Sequence, residues 1–191
     1  MHKGRLEAFS DGVMAIIITI MVLELKVPHG SDRLALEPLL PVFLTYLLSF
    51  VVVGIYWNNH HHMFALTDRI TGGILWANLH LLFWLSLLPF VTGWMGENHF
   101  APLPTALYGF ELCMAGVAYY ILEVTIIRSQ GENSKLGAAV GGEAKGKISV
   151  VLYAAAIPLA FVNQLLSDAI YVLVALTWLV PDRRIEGLFE T

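Results

Sequence analysis

Arg5-Leu6-Glu7-Ala8-Phe9-Ser10-Asp11-Gly12 runs directly into the apolar stretch Val13 to Leu25, and this junction decides the class of the fold. At 1.5 Å rise per residue, a helix over residues 6–25 spans roughly 30 Å, the thickness of a bilayer's hydrocarbon core. Asp11 then lies about two turns inside the segment. A carboxylate near a helix centre in a membrane costs on the order of 2.5–3.5 kcal/mol, and less towards the interface, so it calls for a partner. The plainer alternative is a signal anchor whose Asp11 sits among the headgroups.

The rest of the chain carries the same signature. Its 191 residues are 57% hydrophobic and only 14% charged, and its mean hydropathy of +0.69 is too high for an ordinary soluble domain. The expectation is an all-α integral membrane protein embedded in a lipid bilayer. A net charge of −4 with no basic domain or arm argues against a nucleic-acid partner. A cleaved signal peptide is not expected, because the first apolar run ends in Glu24-Leu25-Lys26 without a small-residue cleavage site. The single cysteine, Cys113, allows neither an intrachain disulfide nor a cysteine-based metal site.

Six apolar segments lacking strand-like alternation are predicted as helices, near residues 6–25, 42–64, 72–95, 105–127, 148–166 and 168–180. Residues 1–191 are thus expected to form one six-helix unit. The last segment is short, and with Asn163-Gln164 and Ser167-Asp168 at its start it is expected to form a tight hairpin with the fifth. Residues 128–147, rich in Gly, Glu and Lys, read as a loop. With the N-terminus inside, nine cationic residues (Lys3, Arg5, Arg69, Arg128, Lys135, Lys145, Lys147, Arg183 and Arg184) fall on the inner side and two, Lys26 and Arg33, on the outer. That bias fixes an even number of crossings and predicts both termini cytoplasmic.

This topology brings separate polar residues to one depth near the inner face. The first helix contributes Arg5, Ser10 and Asp11, the second ends with Trp57, His60 and His61, and the third carries Asn78 and His80 near its start. Asp11 has Arg5 or a histidine as possible partners. The belt has two readings, a functional network and simple glue between helices worth about 1 kcal/mol per bond.

His60-His61-His62 does not make a metal site by itself. Adjacent helical positions point about 100° apart, and no His-Glu-x-x-His or acidic ligand accompanies them on that helix. A Gly-x-Ser-x-Gly turn and a Walker loop are both lacking, so no enzymatic activity is expected. Glu111 and Glu123, twelve residues apart, lie about 18 Å from each other along a helix and cannot act on one atom. The expectation is one packed inward and one near the cytoplasmic interface.

On the first helix Gly12, Ile16, Thr19 and Leu23 follow the i, i+4, i+7, i+11 spacing of a single stripe. Several copies around an axis would line a narrow tube with apolar rings at Ile16 and Leu23, the kind of constriction that gates ions by dewetting. The same periodicity also fits ordinary helix packing. Ile17, about 100° away around the helix, is expected to face lipid.

Arg5-x-x-x-Phe9-Ser10-Asp11-Gly12 resembles the signature of the transmembrane protein 175 family of potassium channels, and Trp57-x-x-His60, Asn78 and Pro89-Phe90-x-Thr92 follow in the order of its bacterial members. The resemblance implies a six-helix unit whose first helices surround a cation pathway, without a carbonyl filter of the Thr-Val-Gly-Tyr-Gly type. A single unit per chain implies a homotetramer. By position after the signature, the family's constricting residue falls on Ile16, with Thr19 and Leu23 also facing the pore and Ile20 beside them. Arg5, Asp11 and one histidine, His60 or His61, correspond to the family's inner hydrogen-bond network. The reading is therefore a potassium-conducting cation channel of a prokaryotic plasma membrane, with permeant K+ and no bound metal or cofactor, and with Glu24, Asp32 and Glu37 outside to concentrate cations. Two rivals belong to other classes. One is a membrane redox or metal protein with His60 or His61 and His80 as ligands. The other is a proton-coupled transporter that uses Asp11.

Overall fold

The computed structural model describes residues 2–131, 134–140 and 144–179. Val180, Arg183 and Arg184 lie outside them. The described residues form seven α-helices: α1 (Lys3–Leu23), α2 (Leu40–Ala65), α3 (Gly72–Glu97), α4 (Pro102–Gln130), α5 (Lys135–Val140), α6 (Lys145–Leu159) and α7 (Gln164–Leu179). Two 3-10 turns, Arg33–Ala35 and Glu37–Leu39, lead into α2. By length and composition α1, α3, α4, and α2 with its leading turns are able to cross a membrane, and α7 is a shorter apolar helix.

The helix ends are written in the sequence. Pro41 and Pro102 stand in the first turns of α2 and α4, where a missing N–H is no loss. Thr71 caps α3 by accepting from the Ile74 amide. Asn163 does the same for α7, its Oδ1 accepting from Leu166 N at 3.1 Å.

That cap corrects the expected hairpin. Ser167-Asp168 is not a break; it lies in the first turns of α7, and the turn falls at residues 160–163 instead. The cause is local: Pro158 in the last turn of α6 and the Asn163 cap end one helix and start the next. The described part of the expected loop, residues 128–131, 134–140 and 144–147, is also more helical than composition suggested. It contains the end of α4 and all of α5, whose Gly137 amide donates to Ser134 Oγ at 3.0 Å and whose Leu136 is buried.

α3 is the hub. It packs on α1, α2 and α4, while the α6–α7 hairpin closes the bundle against α4 and α2. Ile74, Leu81, Leu85, Leu88 and Met95 recur at helical spacing along its buried side. Ser49 ties three helices together, its hydroxyl lying 2.7 Å from Thr92 Oγ1 and 3.0 Å from the Tyr108 hydroxyl. Where α2 begins and α3 ends the two approach so closely that a Cβ on Gly96 would lie 2.7 Å from the Val42 Cα. Only glycine fits there.

Candidate functional site on the first helix

Two faces of α1 are distinct. Leu6, Ser10, Met14, Ile17 and Met21 are buried against the rest of the chain. On the opposite side Gly12 and Thr19 are exposed, as are Ile16 (57%), Ile20 (43%) and Leu23 (76%). The stripe expected from spacing thus turns away from the chain's own core. Ile17 corrects the expectation made for it. It is 3% exposed and belongs to the core, because the 100° step from Ile16 carries it to the face that meets the neighbouring helices.

Hydroxyls on α1 are satisfied locally. Thr19 Oγ1 donates to the Ile16 carbonyl at 2.9 Å, so only its oxygen lone pairs face outward. The stripe therefore presents apolar surface and one weak acceptor.

Behind it runs a buried polar chain. Asn78 Nδ2 donates to Ser10 Oγ at 2.9 Å, and Ser10 in turn donates to the Leu6 carbonyl at 3.0 Å. With its amide nitrogen spent on Ser10, Asn78 turns its Oδ1 to His60 Nε2 at 2.8 Å, which makes Nε2 the protonated nitrogen of that ring. All three side chains are buried, and they join α1, α2 and α3 at one depth. His60 also packs on Phe64, with ring centroids 4.5 Å apart. In hydrocarbon each unmet polar group is costly, so the chain is stable only when complete.

A second contact lies between the start of α1 and the end of α2. Trp57 Nε1 donates to Asp11 Oδ1 at 3.0 Å, and His61 stacks on Trp57 with centroids 6.4 Å apart. The structure thus assigns the neighbouring histidines different surroundings: His60 is buried in the polar chain, whereas His61 is exposed beside Trp57. The partner of Asp11 within one chain is an indole. Arg5 is exposed and makes neither an ion pair nor a side-chain hydrogen bond among the described residues. Lys3 instead anchors the start of α1, donating to the Ala65 carbonyl at 3.2 Å.

The imidazoles required by a metal or redox reading do not converge. His80 Nε2 accepts from Trp84 Nε1 at 3.0 Å, while His60 is engaged with Asn78. Among the described residues no group of three potential ligands stands together. Glu111 is packed inward as expected, at 2% exposure, and neither carboxylate oxygen has a hydrogen-bond partner. Glu123 is half-buried.

At the opposite end of α1, pattern reading missed one ion pair. Lys26 Nζ meets Glu97 Oε1, joining the end of α1 to the end of α3, and the carboxylate holds the lysine above its ordinary pKa. Asp32 caps the first 3-10 turn through the Ala35 amide at 3.1 Å.

Comparison with known proteins agrees with the all-helical fold. Residues 5–89 match the family model described as endosomal/lysosomal potassium channel TMEM175. A protein of a Chryseobacterium species, named a potassium channel, is 59% identical over 186 residues, covering 97% of each chain. Another from Streptomyces collinus, likewise named a potassium channel, is 33% identical over 129 residues and 63% of each chain. The crystal structure of a lysosomal potassium-selective channel TMEM175 homolog from Chamaesiphon minutus superposes with a TM-score of 0.78 at 28% identity, over 92% of this chain and 95% of that one.

Proposed function

The chain belongs to the TMEM175 family, and we propose that it is a potassium-conducting cation channel, a homotetramer with α1 innermost in a prokaryotic plasma membrane. The outward face of α1 carries this reading. Ile16, Ile20 and Leu23 are large apolar side chains left uncovered on a helix whose other side is packed. Four such helices around an axis cover one another's apolar stripes and enclose a narrow path.

A ring of Ile16 side chains offers no oxygen to replace an ion's water. Passage is then controlled by whether the throat is wet, and selectivity by the cost of partial dehydration. Potassium holds its water less tightly than sodium and is favoured, modestly. Thr19, one turn further out, presents hydroxyl oxygens that soften this cost.

The inner network serves the pore from behind. Ser10, Asn78 and His60 set the angle and rotation of α1 against α2 and α3, while Asp11, held by Trp57, and Arg5 stand near the entrance. Charge distribution supports both termini in the cytoplasm. The short hairpin does not alter this, since four and six crossings are both even.

The deciding experiment is flux. Purified protein in liposomes should pass potassium faster than sodium, without saturable uptake. Equal and negligible flux of both ions from a folded tetramer would overturn the reading.

A further inference from the structure

Along one side of the bundle α2 and α7 border an open groove, with about 1370 Å³ of space when its open side is included. Leu44, Leu48 and Val51 of α2 and Val172, Leu176 and Leu179 of α7 line it. Its polar groups gather at one end. Asp168 lies there, in the second turn of α7, and its Oδ1 is buried without a hydrogen-bond partner. Among the described residues no lysine or arginine lines the groove.

The dimensions are informative. From Asp168 to Leu179 the helix rises roughly 16 Å, about half of a hydrocarbon core of ~30 Å. The groove is therefore one leaflet long. His99 and Phe100 close its polar end, and both hold positive φ, 49° and 60°, an unusual conformation for two successive non-glycine residues.

A groove facing hydrocarbon does not stay empty. A leaflet-long apolar channel fits a single acyl chain, and an unpaired carboxylate at its headgroup end, with no lysine or arginine lining the groove among the described residues, complements a positive headgroup. We propose that the α2–α7 groove binds an aminophospholipid, with one acyl chain along the leucines and the primary ammonium on Asp168. The inference rests on the chain lying in a bilayer and is independent of ion conduction.

The test uses the intact protein released for native mass spectrometry from nanodiscs of equal parts phosphatidylethanolamine and phosphatidylglycerol. Wild type should retain phosphatidylethanolamine over phosphatidylglycerol by about tenfold. Asp168→Asn, nearly isosteric, should bring the two to near parity. Leu176→Trp should fill the groove and reduce retention of both lipids, with its unfolding temperature as the check on folding. Equal retention of the two lipids by wild type, or an unchanged preference in Asp168→Asn, would overturn the proposal. So would efficient cross-linking between chains through Leu176→Cys in a Cys113→Ser background, since the groove would then be covered by a second copy.

Discussion

The hydroxyl of Tyr171 occupies the space that a Cβ on residue 109 would need. It is fixed there: it donates to the Thr105 carbonyl at 3.0 Å and lies 2.9 Å from Ser167 Oγ, which also reaches the Ala156 carbonyl at 3.0 Å. One buried phenol thus clasps α4, α6 and α7, and a glycine makes room for it.

Gly109→Ala should accordingly destabilise the protein, by about 1–3 kcal/mol, despite alanine's better helix propensity. Removing the phenolic oxygen takes away the shortest contact but leaves ring carbons Cζ and Cε1 at 2.8 and 3.0 Å, so the Gly109→Ala/Tyr171→Phe pair should lose less than the sum of the single changes while recovering only part of the cost. Thermal unfolding in detergent, read as a double-mutant cycle, measures this coupling.

At the proposed constriction, Ile16→Asn should wet the throat, raise leak and weaken the preference for potassium over sodium. Ile17 is unsuitable as the neighbouring control, because it is core and Ile17→Asn should misfold. Leu173, exposed on α7, is a better one. Bilayer recordings should show altered conduction for Ile16→Asn and wild-type conduction for Leu173→Asn; the reverse would mean the pore face is wrongly assigned.

Asn78→Leu should cost about 1–3 kcal/mol, chiefly because it strands the His60 ring in the core. Ser10→Ala should cost less, since it strands one amide donor of Asn78 but leaves the Asn78–His60 bond in place. Comparing the two unfolding temperatures ranks the links.

The Trp57–Asp11 contact separates geometry from charge. Asp11→Asn keeps an acceptor for the indole and should assemble nearly as wild type, whereas Asp11→Ala and Trp57→Phe should both lower tetramer yield. Size-exclusion chromatography of matched preparations provides the comparison. Equal yields from all three would make the contact dispensable.

Glu111 tests the opposite case, a buried polar group without a partner. Glu111→Met removes two unsatisfied oxygens and keeps the volume, so it should raise the unfolding temperature. A fall would mean that the carboxyl holds a ligand.

Much of this was legible in the residues, for a physical reason: in an apolar chain, each polar group inside a span stands out. Ser10, Asp11, Trp57, His60 and Asn78 were identifiable by that contrast. Their partners were not, because which groups meet depends on the rotation of three helices. The same contrast failed around Ile16 and Ile17, where α1 is apolar on all sides and hydropathy carries no phase. Ser167-Asp168 misled for the converse reason. Both are polar yet sit inside α7, with Ser167 satisfied by the backbone and hydroxyl of its neighbours. The Lys26–Glu97 pair links positions 71 apart, and no local pattern announces it.

Asn78 meets Ser10 across 68 residues, so the bond that fixes the first helix is supplied by the third. During synthesis α1 therefore enters the bilayer well before its buried face has anything to pack against. It is equipped to wait. Ser10 donates to Leu6 and Thr19 to Ile16 within the helix itself, so neither hydroxyl needs a tertiary partner while the ribosome is still making α2 and α3. In the proposed tetramer the order of maturation follows: insertion of α1, closure of the polar chain by Asn78, and only then association of chains through the outward stripe. A substitution at Asn78 would then act as a maturation defect, letting single chains accumulate whose outward stripe is intact but mis-aimed.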